Sequence, residues 1–314
     1  MGERGNPFMK NVIAMHHVSK TFRSTKALAD VTWEVSPGSI YGLIGANGAG
    51  KSTLLQLALG VLWPDHGDIA ILGESLTRDS AALRQRVHYV ASGRPMVQSF
   101  RVEEWLHYVR LLYTRWDPAL CDTLLSALEI NPERTLGQLS QGTQTSLQLL
   151  IGIAARPDLL LLDEPTNGLD VVVKQQILQF IIDMAADLGT TVVIATHNIQ
   201  DVERITDTIG VLYRGHFVLQ EELDTMKSHW HRIQVVFPGK WPDGIHKAGP
   251  ITQVERRGHV AQITVEGDPA PVMMKLQEAG ASLIEPVNMD LTEIFRSILE
   301  KEGYSREALR WTTL

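Results

Sequence analysis

"SIYGLIGANGAGKSTLLQLALG" occupies residues 39–60. Its first seven residues, Ser39 to Gly45, form a nearly continuous apolar run that ends on a glycine, the pattern of a strand buried on both faces of a parallel sheet. Gly45, Gly50, Lys51 and Ser52 then satisfy G-x-x-x-x-G-K-[ST]. The glycines let the backbone wrap a phosphate with its N–H groups pointing inward. Asn47, Gly48 and Thr53 complete the cradle, Lys51 reaches the terminal phosphates, and the Ser52 hydroxyl is offered to Mg2+. Lys51 to Leu59 reads as the helix that follows, with Gly60 as its C-cap and Pro64 beyond it. Strand, phosphate loop and helix in this order predict a nucleotide site in an α/β sheet.

The rest of the composition bounds what that site can serve. A chain of 314 residues predicts two domains, and 44% hydrophobic residues suit a packed core. The net charge of −7, with no Lys/Arg run to offset it, excludes a nucleic-acid footprint. Cys121 is the only cysteine, so no disulfide can form within the chain. The N-terminal "MGERGNPFMKN" lacks the apolar centre of a signal peptide, and Asn6 stands where a myristoylation motif has Ser or Thr. No apolar stretch approaches the ~20 residues needed to span a bilayer. Any membrane role is therefore expected to come through a partner.

Residues 10–222 read as alternating strands and helices. "DLLLLDEP" (158–165) and "TTVVIATH" (190–197) are two further buried strands, the second too β-branched for a helix. Asp163 and Glu164 fall at the C-terminal edge of the first, where ligands collect in open α/β sheets. Asp163 is placed to hold Mg2+ and Glu164 to polarise an attacking water as general base. His197 falls at the same edge, in reach of a γ-phosphate. Residues 79–157 read as a helical insert. "VEEWLHYVRLLY" puts Val102, Leu106, Val109 and Tyr113 on one face, and "DPALCDTLLSALEI" opens with Asp117 as N-cap and Pro118 at the first helical position. Within the insert, "LSQGTQTSLQLLIGIAARP" (139–157) sets Ser140 and Gly142 before a long apolar helix, a second helix N-terminus open to an anion.

Residues 225–314 read as a small accessory α+β domain. "RIQVVF" is a strand, "TQVERRGHVAQITVEG" a hairpin around Arg257-Gly258, and "PAPVMMKLQEAGA" and "LTEIFRSILEKEG" are amphipathic helices. His229, His231, His246 and His259 lack the Cys or fixed-spacing acid of a metal site and read as surface residues. Trp230, Trp241 and Trp311 read as core or interface anchors.

The ordered set of phosphate loop, Leu139-Ser140-Gln141-Gly142, "LLLLDEP", "NGLD" (167–170) and His197 resembles the ATP-binding subunit of ABC transporters. The resemblance covers about residues 10–222. It implies a P-loop NTPase core with an antiparallel β subdomain and the helical insert, ATP and Mg2+ as cofactors, and ATP hydrolysis. In that family two nucleotide domains pack head to tail, each ATP lying between the phosphate loop of one chain and the LSxG helix of the other. A homodimer is implied, a mixed dimer with a sibling chain is compatible, and a separate integral membrane subunit completes the machine at the cytoplasmic face of the membrane. Its helix would dock between core and insert, near residues 92–105. Ser140 and the backbone near Gly142 would serve the partner's γ-phosphate, Phe22 matches the aromatic that stacks on adenine, and Asp170 matches the loop that contacts the second chain. The C-terminal extension and "LLYTRWDPAL" look similar to the ABC-2 exporter branch. The alternative is a soluble regulatory ABC ATPase, but such members commonly carry two ATP domains in one chain or long basic inserts.

Two departures from the family pattern stand out. Ser92, after the strand "RVHYVA", occupies the position of the usual metal-contacting Gln or Glu; a water bridging Ser92 to the metal is one substitute and Gln98, further along the loop, another. In "LSQGTQTSL", Gln141 replaces the usual first Gly, Thr143 replaces Gln, and the basic residues that commonly follow are neutral here: Gln144, Thr145 and Ser146. The expected result is slower or more partner-dependent hydrolysis at a competent site.

Overall fold

The computed structural model describes residues 10–78, 80–93, 96–239, 241–242, 244–245 and 249–301. His246 and Trp311 lie outside the described residues. The chain forms two compact units, Met1–Gln220 and Glu221–Leu314.

The first unit carries two sheets. One is antiparallel, in the order β2-β1-β4-β5, built from β1 (Ile13–Phe22), β2 (Thr25–Val35), β4 (His66–Ile71) and β5 (Glu74–Ser75). The other has six strands in the order β10-β9-β3-β8-β7-β6: β3 (Ile40–Ile44), β6 (Val87–Ala91), β7 (Leu159–Asp163), β8 (Thr191–Thr196), β9 (Thr208–Tyr213) and β10 (His216–Glu222). Strands β9, β3, β8, β7 and β6 run parallel. Every residue of β3, β7 and β8 is buried, as the unbroken apolar runs require.

The alternation along β7 shows why both faces are apolar. Leu159 and Leu161 join the core with Trp33, Leu54 and Leu57, which includes α1 (Lys51–Ala58) and the antiparallel sheet. Leu160 and Leu162 join a second core with Leu106, Leu124, Leu147 and Ile181. That second core is made by α3 (Val102–Arg110), α4 (Pro118–Ala127), α5 (Gln141–Ala154) and α6 (Val171–Leu188). Strand period 2 thus divides one leucine run between two layers. The short helices α2 (Ala81–Arg84) and α7 (Ile199–Glu203) complete the unit.

Local signals explain the helix ends. Asp117 caps α4 by accepting from Leu120 N at 3.0 Å, with Pro118 in the first turn. Gly60, one residue beyond the α1 C-cap, adopts φ 72°. Two expectations shift. Tyr113 lies beyond the end of α3, so only Val102, Leu106 and Val109 share its buried face. The strand "RVHYVA" inside the 79–157 span is β6, which pairs with β7 and so belongs to the central sheet rather than to the insert.

The second unit contains α8 (Leu223–His229), β11 (Trp230–Val236), β12 (Ile251–Arg257), β13 (Val260–Glu266), α9 (Ala270–Glu278), β14 (Leu283–Val287) and α10 (Leu291–Lys301). Its sheet is antiparallel in the order β12-β13-β11-β14. Strands β13 and β14 flank β11, with α9 crossing between them and burying Val272 and Leu276 against Ile233, Val235 and Ile263. Trp241 meets Phe237 edge-on at 5.0 Å and lies under Arg256. The rings of His229 and His259 face Glu221 and the Phe237 carbonyl.

Candidate functional site: a phosphate cradle at the sheet edge

Strand register assembles the site. Ala91, Asp163 and Ala195 are lateral neighbours across β6, β7 and β8, and Ile44 pairs with Thr196. The chain therefore leaves β3 into the phosphate loop, β7 into Glu164, β8 into His197 and β6 into Ser92, all at one C-terminal edge. This is where parallel sheets bind ligands.

A cavity of about 450 Å³ opens there, lined by Ala46, Asn47, Gly48, Gly50, Lys51, Ser52, Thr53, Asp163 and Glu164 together with Thr25, Lys26, Ala27 and Arg214. The loop fits its surroundings so closely that glycine is required. A Cβ on Gly45 would lie 2.4 Å from the Leu212 carbonyl oxygen; one on Gly50, at φ 110°, would lie 2.7 Å from that of Ala27. No side chain caps the N-terminus of α1, leaving that end to an anion.

Lys51 is buried, donates to the Gly45 carbonyl at 2.7 Å and stands 3.5 Å from Glu164 Oε1. Burial pulls its ammonium below the ordinary lysine range, against the opposing pull of the Glu164 and Asp163 carboxylates. Glu164 sits at φ 52°, in the left-handed region, at a cost of about 1–3 kcal/mol. Its Oε2 accepts from Thr196 Oγ1 at 2.9 Å and lies 2.9 Å from His197 Nδ1. Glu164 and His197 are thus paired with each other. Asp163 is buried, and its Oδ2 accepts from the Tyr89 hydroxyl at 3.0 Å.

Ser92 reaches Asp163 through its backbone, donating its N–H to the Asp163 carbonyl at 3.1 Å. Gln98 is turned elsewhere: its side-chain amide donates to the Met96 carbonyl, while its backbone carbonyl accepts from Gly137 N. Phe22 is 43% exposed at the end of β1, with Lys20 over its ring; it does not line the cavity, but its β2 partner Thr25 does.

Ser140, Gly142 and Asp170 also lie outside the cavity lining. Ser140 is the exposed N-cap of α5, accepting from Thr143 N at 3.1 Å. Asp170 caps α6 by accepting from Val172 and Val173 N–H. The two caps are neighbours, since a Cβ on Gly142 would meet the Gly168 carbonyl at 3.0 Å.

Sequence reasoning did not single out Tyr89, Thr196 or Arg214. The first two carry a signal in hindsight: one sits two residues from the strand end beside Asp163, the other directly before His197. Arg214 belongs to a β-turn whose approach to the phosphate loop is a tertiary fact.

Fold and site together define a P-loop ATPase whose phosphate loop and the carboxylates of Asp163 and Glu164 share one sheet edge. The family model for ABC transporters matches residues 28–167. The ABC transporter ATP-binding protein YtrB of Bacillus subtilis is 30% identical over 226 residues, 72% of this chain and 77% of the relative. The Nod factor export ATP-binding protein I of Rhizobium etli is 32% identical over 295 residues, 91% of this chain and 92% of the relative. A solved ATP-binding subunit of an ABC transporter superposes with a TM-score of 0.63 at 25% identity, covering 69% of this chain and 92% of that one. The chain belongs to the ATP-binding subunits of ABC transporters. It is an ATP-hydrolysing transporter subunit rather than a regulatory ATPase of a non-transport assembly. Among the described residues no helix is long and apolar enough to cross a membrane.

Proposed function

We propose that two copies of this chain close head to tail on ATP, and that the closure drives export through a separate membrane subunit. The observation that carries this reading is the division of the site. The cavity is lined by the phosphate loop, Asp163 and Glu164, while Ser140 presents an exposed, anion-ready helix N-terminus outside it. One triphosphate engages both only if the second helix comes from another molecule. A mixed dimer with a sibling chain would share the same geometry.

Lys51 and the loop N–H groups hold the β- and γ-phosphates. Ser52 and Asp163, a hydroxyl and a carboxylate that both line the cavity, are the all-oxygen donor set that Mg2+ prefers alongside phosphate oxygens and water. The metal would neutralise charge on the phosphates. The γ-phosphate competes for Lys51 and His197, and this releases Glu164. Glu164 then accepts a proton from the water whose oxygen bonds to the γ-phosphorus, as the bond to the ADP oxygen breaks. Phe22 closes over adenine from beside Thr25. Ser92 would reach the metal only through a bridging water.

An exposed apolar strip supports a membrane-subunit contact next to the 92–105 segment. Val97, Phe100, Tyr108, Leu111 and Leu112 are exposed, and Phe100, Trp105 and Tyr108 form a continuous aromatic row with centroids 6.0 and 5.9 Å apart. That partner would hold the chain at the cytoplasmic face. The outward direction rests on the likeness to the Nod factor export protein, which runs through the C-terminal unit as well. The test is Glu164→Gln with ATP, examined by light scattering. A nucleotide-dependent dimer at low salt is expected; persistent monomers contradict the shared site.

A further inference from the structure

The carboxylate of Asp201 has no part in the cavity, yet it is 8% exposed and fully engaged. Its Oδ2 accepts from Thr166 Oγ1 at 2.7 Å. Lys174 Nζ lies 3.0 Å from Oδ2 and 3.2 Å from Oδ1. Thr166 is itself buried, two residues after Glu164, and Lys174 lies one turn into α6, its N–H bonded to the Asp170 carbonyl. Asp201 stands on α7, four residues after His197. That helix is seated on the sheet at Gly42, where a Cβ would collide with Val202 Cγ1 at 2.3 Å. One buried charge therefore joins three segments: the helix after His197, the turn after Glu164, and the start of α6. The loop they enclose, Asn167–Asp170, is the one whose Gly168 carbonyl abuts Gly142 at the Ser140 helix.

We propose that Asp201 is a positioning residue that locks the Asn167–Asp170 loop to the His197 helix, so that a shift of His197 on the γ-phosphate is transmitted to the face presented to the second copy. This rests on the head-to-tail reading above. Lys174 neutralises the carboxylate and Thr166 fixes its orientation, so the latch is rigid only with all three groups present. It touches neither phosphate nor metal. Its loss should leave nucleotide capture by a single chain intact and weaken the assembly of two.

The test is Asp201→Asn, alone and with Glu164→Gln, beside Thr166→Val and Thr166→Ser. Hydrogen exchange on the monomer reads the latch directly. Asp201→Asn and Thr166→Val should raise exchange across residues 166–170 and 140–143 about tenfold, and Thr166→Ser, which keeps the hydroxyl, should not. ATP affinity of the monomer by calorimetry should change less than about twofold, while the ATP-dependent dimer of the Glu164→Gln parent should weaken about tenfold or more. Unchanged exchange in 166–170, or an ATP-affinity loss in the monomer as large as the loss of dimer, overturns the proposal. If the Glu164→Gln parent does not dimerise, the head-to-tail reading fails, and with it the transmission to a second copy, while the exchange data still decide whether Asp201 holds the loop. Should Asp201→Asn not fold, the Thr166→Val and Thr166→Ser pair carries the same comparison.

Discussion

Replacing Ser140 separates two jobs that one hydroxyl performs. As the N-cap of α5 it accepts from Thr143 N at 3.1 Å, and its oxygen lies 2.9 Å from Thr143 Oγ1. Ser140→Ala removes the cap, at a cost of about 1 kcal/mol. For a cassette of this size that lowers Tm by about 2–4 °C. In the shared site the same change removes a hydrogen bond to a charged phosphate, worth about 1.5–3 kcal/mol. Two symmetric sites double this to about 3–6 kcal/mol, on the order of 10²–10⁴ in the dimer dissociation constant. Ser140→Asp discriminates. Asp caps as well as Ser and suits the positive end of the helix dipole, so stability should hold within about 0.5 kcal/mol. Its carboxylate would face the partner's γ-phosphate, and the ATP-dependent dimer should disappear. Thermal melts and ultracentrifugation with ATP, all in the Glu164→Gln background, measure both quantities. The reasoning is refuted if Ser140→Asp dimerises like its parent, or if dimer loss merely follows the melting temperature through both variants.

Further outcomes follow from single contacts. Gly45→Ala drives a Cβ against a backbone oxygen 2.4 Å away, so the phosphate loop must shift; ATP affinity by calorimetry should fall on the order of a hundredfold while the far-ultraviolet spectrum stays unchanged. Lys51 has a folded-state pKa below the ordinary 10.5. The unfolded chain therefore binds more protons in the interval between them, and the nucleotide-free protein should gain stability as pH rises through that window. Lys51→Met should remove this slope in urea titrations at rising pH. The Cys121 thiol is pushed up to about 11 by burial, so at pH 8 about one molecule in a thousand is thiolate and labelling by an aromatic disulfide should be slow until urea opens the α4 region. Basal ATP turnover of the isolated subunit should fall below that of relatives with a basic, two-glycine signature, and turnover at their rate would count against the role given to Gln141 and the neutral residues after it.

The parts of the site read from sequence are those set by local pattern. The residue 39–60 stretch contains its own strand, turn and helix, and the leucine run before Asp163 is apolar on both faces because the sheet is covered on both. Each signal is local to its own strand and turn, so the sequence alone places Lys51, Ser52, Asp163 and Glu164 at one sheet edge. What stayed hidden depends on lateral register and on loops returning from afar. Tyr89 bonds Asp163 only because β6 lies beside β7. Arg214 faces the cavity only because the β9–β10 turn folds onto the phosphate loop, where Gly215 N reaches the Ala49 carbonyl. Asp201 reads in sequence as one acid in a polar helix; the seat of that helix on the sheet is at Gly42, about 160 residues earlier in the chain, where Val202 packs against the bare glycine. Within the 79–157 span "RVHYVA" reads as a strand, but that it joins the main sheet beside β7 depends on a lateral pairing that no local pattern carries.

The most direct measurement mixes two defective chains. Lys51→Ala lacks the phosphate grip but keeps its Ser140 helix; Ser140→Asp keeps its phosphate loop but repels the partner's nucleotide. Each alone should be inactive in single-turnover ATP hydrolysis. Mixed in equal amounts, only a dimer with one chain of each kind has a complete site, one of its two, so a burst of at most about half the wild-type amplitude should return. No recovery on mixing, or a full burst from Ser140→Asp alone, would show that each molecule works with its own residues only.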